Sequence, residues 1–323
     1  MTGSGLMLNW DHLEHQSNFS RNHHLALYDD KQDHPSGPQR VIIEWIFFSQ
    51  FPDGELEDSS IQRLLDLAEL SHTPKPARFR ALDCLGFLPP KSDGMKGYGF
   101  VFPFPALPNS PPTTIQPRTL RQMLEVRFSN WSLSLGDKFN MAKALASNLC
   151  HLHRHEWLHR NIHSENVIFF VDENNQRLRD GPYLISFHHS RKDEQKFYSD
   201  VPSVDSDSEA LLYQHPDYKY DENRFKKDYD RYSLGIMLLE LAYWNPVLKM
   251  RQQEGDVPRD QFREKLLRKY VPEVAEIMGN TYREATELCL RGSFGSKGEA
   301  TGMDETSRFS LDVVQTLESC QVG

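Results

Sequence analysis

The stretch Trp157–Phe170, WLHRNIHSENVIFF, and the nearby run PYLISFHHS at positions 182–190 decide how this chain folds. Within them, Val167–Phe170 and Tyr183–Ile185 are dense in β-branched and aromatic residues, which favours two short strands joined by a polar turn. The preceding segment, Leu135–His155, repeats apolar residues at helical spacing and is predicted to be a long amphipathic helix. The region therefore reads as helix, loop, strand, turn and strand.

The composition is that of an ordinary globular chain. With 323 residues, the chain is long enough to bury a core as one large domain or two packed ones. Hydrophobic residues make up 38% and charged residues 26%, a balance that argues against intrinsic disorder. The formal net charge of -9 provides no basic field for phosphates, so a general nucleic-acid-binding role is disfavoured.

Cysteine usage and hydropathy predict a cytoplasmic protein. The four cysteines are widely spaced without a CxxC pair, which argues against a disulfide framework and against a structural zinc site. The longest apolar runs, such as Gly235–Leu239, are too short to cross a bilayer. The N-terminus is polar and lacks the apolar region of a signal peptide. We therefore expect a reducing, cytoplasmic location and no membrane span.

The two quoted stretches resemble the catalytic loop, HRDxxxxN, and the metal-binding DFG segment of protein kinases. His159, Arg160 and Asn166 fit the first motif, whereas Asn161 stands in place of its catalytic Asp. In the second motif, Ser186 stands in place of the magnesium-binding Asp. The resemblance is one of position and spacing, and the two acids that phosphoryl transfer uses are missing.

The run Arg40–Phe48, RVIIEWIFF, is predicted to be a buried strand. It lies where a kinase has the strand that carries its phosphate-binding Lys, and Glu44 stands in place of that Lys. An acid there would repel phosphate, and no Gly-rich GxGxxG loop occurs in the chain. The alternative is that Glu44 is a solvent-facing strand residue whose alignment with the kinase motif is accidental.

By this resemblance the chain has an α+β, two-lobed protein-kinase-like fold, with a small antiparallel β lobe followed by a mainly helical lobe. A helix is predicted at Ser59–Leu70 in the small lobe, and the Pro-rich Pro103–Pro117 would link the lobes. The expected boundaries are 1–39 for a poorly structured N-terminal segment with one short strand, 40–102 for the small lobe, and 103–323 for the helical lobe with an activation-like segment at 186–217.

Several residues keep kinase-like identities that would preserve shape without turnover. His159 and Phe187 are expected to stack as part of the spine that links the lobes. The run Asp230–Trp244, DRYSLGIMLLELAYW, is apolar nearly all round and predicts a buried central helix. Asp230, at its start, is expected to hold the backbone of the loop His159–Asn161.

The activation-like segment ends in a motif that resembles the kinase APE, with Asp217 in place of its Glu. The resemblance predicts an ion pair between Asp217 and Arg308, which precedes the last helix. Within the segment, a cluster of serines lies among acids and is either a solvated loop or a site of phosphorylation. These serines are Ser199, Ser203, Ser206 and Ser208.

The missing acids leave little to hold a nucleotide or a metal. Magnesium prefers carboxylates and phosphates, so no magnesium site is expected, and ATP would bind weakly if at all. The backbone of Val101, Phe102 and Phe104, at the hinge, is the candidate contact for an adenine. His151 and His155 have a metal-ligand spacing, but no Cys or acid completes the set, so we expect no metal.

A narrower resemblance points to one kinase-like domain of filamentous fungi, because VIIEW at Val41–Trp45, Lys75–Phe79, CLGF at Cys84–Phe87 and the two quoted stretches are similar to it. Such domains accompany HeLo-type, prion-inhibition-and-propagation domains in heterokaryon-incompatibility and cell-death proteins, and tend to lack the same acids. The resemblance implies an inactive pseudokinase that acts on protein partners as a scaffold or allosteric signalling protein. The alternatives are a divergent, active ATP-dependent protein kinase and a small-molecule phosphotransferase of related fold.

Overall fold

A computed structural model describes residues 6–19, 23–30, 37–47, 65–66, 68–69, 72, 80–91, 97–107, 112–125, 133–172, 178–187, 190–193, 209–219, 224–292, 294 and 303–321 of the chain. Over these residues the protein is α+β, with an antiparallel five-stranded sheet and a mainly helical region. The α+β class predicted from the sequence is therefore confirmed.

The strands form three sheets within the described residues. The five-stranded sheet has the order β1-β2-β3-β5-β4, the three-stranded sheet has the order β6-β8-β9, and β7 pairs with β10. In chain order the strands are β1 (Leu13–Asn18), β2 (His23–Tyr28), β3 (Gln39–Phe47), β4 (Gly86–Leu88), β5 (Gly97–Pro103), β6 (Ile115–Thr119), β7 (Trp157–Leu158), β8 (Val167–Asp172), β9 (Leu178–Leu184) and β10 (Arg191–Lys192).

The α-helices whose ends are described lie after the five-stranded sheet. They are α1 (Leu120–Glu125), α2 (Leu135–Arg154), α3 (Lys227–Tyr243), α4 (Val247–Glu254), α5 (Arg259–Lys265), α6 (Val271–Met278), α7 (Asn280–Arg291), α8 (Glu305–Phe309) and α9 (Thr316–Glu318). The π-helical segments Leu266–Tyr270 and Ser310–Gln315 join α5 to α6 and α8 to α9. Short 3-10 helices occur at Ser164–Asn166 and Glu209–Tyr213.

Strand β3 is the central strand of the five-stranded sheet, and side chains on both of its faces are buried. This confirms the strand predicted at Arg40–Phe48. Because successive side chains of a strand point to opposite faces, Ile42 and Ile46 share one face. They belong to an apolar cluster that includes Ile168 of the three-stranded sheet. Glu44 lies between Ile42 and Ile46 on the same face and is therefore directed toward the three-stranded sheet.

The N-terminal segment contributes β1 and β2 to the five-stranded sheet, so the prediction that 1–39 is poorly structured was wrong for its described part. Strand β2 pairs antiparallel with β3 along its whole length. Before β1, Leu8 N donates to Phe87 O at 2.8 Å, and the rings of Trp10 and Trp45 stack at 5.5 Å. The sequence pattern was weak because β1 is an edge strand with mostly exposed side chains, which need no apolar alternation.

Helix α3 is surrounded by other elements, as predicted for Asp230–Trp244. All of its residues from Tyr229 to Ala242 are buried, which a helix that is apolar on every side requires. A Cβ on Gly235 would lie 2.9 Å from Leu290 Cγ, so this glycine permits the close approach of α3 and α7. Neither α3 nor any other described helix is long and apolar enough to cross a membrane.

Helix α2 confirms the long helix predicted at Leu135–His155 and ends at Arg154. It begins with a capping box: Ser134 Oγ accepts a hydrogen bond from Asp137 N at 3.1 Å, and Asp137 Oδ2 accepts one from Ser134 N at 2.9 Å. Lys138 Nζ donates to Ala242 O at 3.0 Å and so ties the start of α2 to the end of α3.

Some sequence predictions fall partly outside the described residues. Of the predicted helix Ser59–Leu70, the described residues Leu65, Asp66, Ala68 and Glu69 are helical. The predicted linker Pro103–Pro117 already contains the start of β6 at Ile115. The candidate phosphorylation sites Ser199, Ser203, Ser206 and Ser208 lie outside the described residues.

Candidate functional site

The candidate site lies where the inner face of β3 meets the chain that follows β9. The side chain of Glu44 is buried, with the residue only 2% exposed, and Glu44 Oε2 accepts a hydrogen bond from Ser186 N at 2.9 Å. These are the two residues that the sequence resemblance aligns with the kinase Lys and with the magnesium-binding Asp. The alternative that Glu44 faces solvent was wrong, because the alternation of β3 places its carboxylate in the interior.

Ser186 continues the hydrogen bonding to Asn166. Ser186 Oγ donates to Asn166 Oδ1 at 2.8 Å. Asn166 Nδ2 in turn donates to Asn161 O at 2.8 Å and to His163 Nε2 at 2.7 Å. The structure thus brings Glu44, Asn161, Asn166 and Ser186, the candidate positions from the sequence, into one hydrogen-bonded network. Asn161 takes part through its backbone oxygen.

His23, on β2, completes this network, and the sequence analysis missed it. It is 4% exposed and lies opposite Glu44 in the β2–β3 register. His23 Nε2 is 3.3 Å from Ser186 Oγ and 3.7 Å from Glu44 Oε2. Because Ser186 Oγ donates to Asn166, the hydrogen-bond pattern assigns the proton to His23 Nε2, which donates to Oγ. The run HHLALY at 23–28 was the available signal, since recognising it as a strand beside β3 would have placed His23 here.

Ser186 and Arg160 share an unusual backbone conformation, and in each residue the backbone N–H donates to a buried carboxyl group. Ser186 has φ 68° and Arg160 has φ 67°, in the left-handed region that residues other than glycine rarely adopt. Arg160 N donates to Asp230 Oδ1 at 2.8 Å, just as Ser186 N donates to Glu44. A buried carboxylate therefore holds each of these strained residues. Such strain persists only where the surroundings fix it.

Asp230 also accepts a hydrogen bond from His159 N, at 2.8 Å, which confirms the predicted contact between Asp230 and this loop. His153 Nε2 lies 3.2 Å from the same carboxylate oxygen, and burial lowers the pKa of His153. His159 Nε2 lies 3.1 Å from Ile185 O, to which it donates. The predicted stacking of His159 on Phe187 is present as an edge-to-face contact, with 4.8 Å between ring centroids.

A second buried cluster joins α3 to two other elements and was missed by the sequence analysis. Glu240 Oε1 accepts hydrogen bonds from Tyr213 OH at 2.6 Å and from Val247 N at 2.8 Å. Tyr213 OH is also 2.7 Å from Ser164 Oγ. Burial raises the pKa of Glu240 to about 7. The available signal was a single acid in the apolar part of DRYSLGIMLLELAYW after its first residue, Asp230.

Asp217 lies beside His215. Asp217 Oδ2 is 3.8 Å from His215 Nδ1, and Asp217 N donates to the same ring nitrogen at 3.2 Å. Burial, followed by the charge of Arg263, lowers the pKa of His215 to about 4. The ring is therefore neutral at pH 7 and accepts the backbone hydrogen bond instead of forming an ion pair. The pairing of Asp217 with Arg308 stays a prediction.

The residues predicted as hinge contacts belong to β5 or follow it directly. Val101 pairs with β3 and β4, and Val101 O accepts a hydrogen bond from Leu85 N at 2.8 Å. Phe102 lies in the same strand, and Phe104 packs edge-to-face on Phe170 at 5.0 Å. The assignment of Val101 and Phe102 to a hinge was therefore wrong, because strand pairing uses their backbone.

A cavity of about 370 Å³ lies between the five-stranded sheet and the three-stranded sheet. Its lining includes Asn18, Phe19 and Leu25 on one side and Arg118 and Asp172 on the other. No member of the Glu44–Ser186 network lines it. A molecule in this cavity would therefore lie apart from the positions that align with kinase motifs.

The network does not fit a magnesium-bound nucleotide. Magnesium prefers carboxylate and phosphate oxygens. The neutral oxygens at the corresponding positions, Asn166 Oδ1 and Ser186 Oγ, are hydrogen-bonded to each other instead. The described residues contain no group of three or more His, Cys, Asp or Glu side chains arranged to hold a metal. A nucleophilic triad is also excluded, because Ser186 and Glu44 approach the same nitrogen of His23, whereas a triad uses both ring nitrogens.

Comparison with known proteins gives one family. Residues 104–313 match the model of a family described as a domain of unknown function, DUF7580. No curated protein matches the sequence. The matched range begins directly after β5 and contains Asn166, Ser186 and Asp230, whereas His23 and Glu44 precede it. The candidate site is thus built from the family's own range together with the preceding five-stranded sheet.

Proposed function

The chain belongs to the DUF7580 family, and we propose that it is a catalytically inactive, kinase-like protein that acts as a scaffold or allosteric signalling protein. In this proposal the five-stranded sheet and the helical region are the two lobes of a kinase-like fold. The order and spacing of the degenerate motifs support it, as does the buried central helix whose Asp230 holds the His159–Arg160 backbone. The biological role proposed, fungal incompatibility or cell-death signalling in the cytoplasm, rests on sequence resemblance.

The observation that carries the proposal is the hydrogen bond from Ser186 N to Glu44. At these two positions a kinase needs a cation for the phosphates and an acid for the metal. Here an acid and a hydroxyl occupy them and are bonded within a buried network that also includes Asn166. A ligand would have to break these bonds, and each buried group left unpaired costs about 1–3 kcal/mol. The arrangement therefore favours a structural joint over a phosphate-binding site.

The same joint suits a scaffold, because it fixes the five-stranded sheet relative to the loops of the helical region. Glu44 belongs to the sheet, whereas Asn166 ends the 3-10 helix before β8 and Ser186 follows β9. A partner protein that binds across this joint would meet one fixed surface without any need for nucleotide. The bond between Ser186 N and Glu44 does not involve Asn166, so partner capture is expected to survive Asn166→Ser. It should weaken when Phe187, whose ring contacts that of His159, is replaced.

The deciding experiment is thermal unfolding with millimolar ATP, with and without magnesium. A ligand at one hundred times its dissociation constant stabilises a fold by about 2.7 kcal/mol, which is readily seen. The proposal expects no magnesium-dependent shift. A shift without magnesium would mean that nucleotide serves as a structural ligand. A shift that requires magnesium, together with phosphate transfer that is lost in Asn166→Ser, would overturn the proposal in favour of a divergent active kinase.

A further inference from the structure

Glu240 joins four elements that are distant in sequence. It lies in α3 and is fully buried. Its Oε1 receives Tyr213 OH from the 3-10 helix Glu209–Tyr213 and Val247 N from the start of α4. Through the Tyr213 hydroxyl the cluster reaches Ser164, in the loop before β8. The Glu240 carboxyl is thus the common acceptor of the junction.

Within the part of the chain that the structure describes, the other oxygen of the Glu240 carboxyl has no hydrogen-bond partner. Glu240 Oε2 is buried and accepts or donates no hydrogen bond among the described residues. An ionised carboxylate would leave a charged oxygen there without any donor, which is much more costly than burying a neutral carboxyl. The geometry therefore favours the neutral form, and burial accordingly raises the pKa of Glu240 from 4.5 to about 7.

The groups that face Glu240 from other elements do not neutralise its charge. Arg121 of α1 is the cation that acts on it, but Arg121 already donates to Glu125 and to Glu209. Burial raises the pKa of Tyr213 well above its ordinary value, so this partner stays neutral. The remaining partners, a serine hydroxyl and a backbone amide, carry no charge. The ring of His163 lies beyond Tyr213, 5.8 Å from its ring.

We propose that Glu240 is a proton-dependent latch, which holds Tyr213 against Ser164 and the start of α4 while it is neutral and loosens the junction when it ionises. The loosened state admits water to the carboxylate. The inference goes beyond the proposed scaffold function and does not depend on it. Because the pKa of Glu240 is higher in the closed form than in the open form, protonation of the carboxyl stabilises the closed form. The closed form is therefore expected to predominate near pH 5, and the open form is expected to become more populated as the pH rises toward 7.

Amide hydrogen exchange tests the latch, with the Val247 amide as its reporter because this amide donates to Glu240. The measured quantity is protection, the ratio of the unstructured exchange rate to the observed rate, at pH 5 and pH 8. Wild-type protection at Val247 should fall on the order of 50-fold between these values. In Glu240→Gln, which keeps an acceptor oxygen but cannot ionise, the fall should be less than about threefold.

Two internal controls separate the latch from a general effect of pH. Glu254→Gln should keep the wild-type profile, because Glu254 also accepts a tyrosine hydroxyl, at 3.0 Å from Tyr270, but its neighbours lower its pKa to about 2. The Leu85 amide, which donates to Val101 O in the five-stranded sheet, should lose less protection than Val247. Equal losses at both amides would overturn the latch.

A wild-type pH profile in folded Glu240→Gln would also overturn it. Should Glu240→Gln fail to fold, Tyr213→Phe decides the question. It removes a donor that favours the ionised carboxylate, so the pH at which Val247 loses protection should move upward. An unchanged midpoint in Tyr213→Phe would contradict the proposal.

Discussion

The carboxylate of Glu44 lies 2.9 Å from the backbone nitrogen of Ser186, across 142 residues of sequence. An intramolecular hydrogen bond stabilises a fold by about 0.5–1.5 kcal/mol, and leaving one of its buried partners unsatisfied costs about 1–3 kcal/mol. This bond joins β3 to the segment after β9, and the bond from Arg160 N to Asp230 repeats the arrangement between a loop and α3. Both donors belong to residues with left-handed backbone. Buried carboxylates thus fix the two loops that align with kinase motifs.

Glu44→Leu should lower the free energy of unfolding by about 2 kcal/mol or more, because it leaves the buried Ser186 N–H without an acceptor. Glu44→Gln keeps an acceptor oxygen of the same shape and should cost less than about 1 kcal/mol. Urea unfolding of the three proteins measures both differences. Equal losses in the two variants would show that the charge of Glu44 matters more than the hydrogen bond.

Glu44→Lys introduces the residue type that a kinase carries but should destabilise the protein by about 3 kcal/mol or more, because it buries an ammonium group beside His23 and removes the carboxyl that accepts the Ser186 N–H. Adding Ser186→Asp supplies a partner, and the double-mutant cycle should show a favourable coupling of about 1–3 kcal/mol. We expect no phosphate transfer from the double variant, since Asn161 cannot accept a proton. A coupling of zero would mean that the two side chains no longer meet.

Asp230→Asn should lower the free energy of unfolding by about 2 kcal/mol or more, because an amide has one acceptor oxygen for the two backbone N–H groups of His159 and Arg160. The matched control is Asp256→Asn, whose carboxylate is fully exposed and which should stay within about 0.5 kcal/mol of wild type. Chemical denaturation measures both. Wild-type stability in Asp230→Asn would show that the loop does not depend on this carboxylate.

The pH dependence of stability should reveal two groups that oppose each other. Glu240 has its pKa raised from 4.5 to about 7, so the stability that it contributes is present below pH 4.5 and is lost as the pH rises to 7. His215 has its pKa lowered from 6.5 to about 4, so its contribution is present above pH 6.5 and is lost as the pH falls to 4. Between pH 4.5 and 6.5, unfolding releases a proton from Glu240, whereas His215 binds a proton when the protein unfolds.

Replacing either group should therefore change the slope of the free energy of unfolding against pH, and the two changes should be opposite in sign. In His215→Gln, the slope of stability against pH should become more negative than in wild type between pH 4 and 6.5, by up to about 1.4 kcal/mol per unit, because the contribution of His215 is removed. In Glu240→Gln, the slope should become more positive than in wild type between pH 4.5 and 7 by up to about the same amount. Urea unfolding at half-unit intervals measures both changes of slope. Changes of the same sign in the two variants would contradict the assignment.

Local sequence signals predicted the elements that depend on local physics. The capping box at Ser134 and Asp137, the helical spacing of α2 and the all-round apolarity of α3 each specify an element from neighbouring residues alone. The contact of Asp230 with the His159 loop was predicted because motif spacing fixed both partners. Strand β1 was missed, since a polar edge strand carries little apolar pattern, whereas the short strand predicted at Leu25–Tyr28 is part of β2.

The amino-acid sequence by itself determined the α+β class, the buried strand β3 and the central helix, because hydrophobic periodicity and β-branched runs act over a few residues. It also placed an acid at Glu44 and a hydroxyl at Ser186, at the positions where the resemblance to kinases predicts a Lys and an Asp. Only the tertiary structure decided that these two groups meet, that His23 joins them and that Glu240 is buried with one carboxyl oxygen left unpaired by the described residues. Those facts depend on strand register and on packing between segments far apart in the chain, which no local pattern encodes.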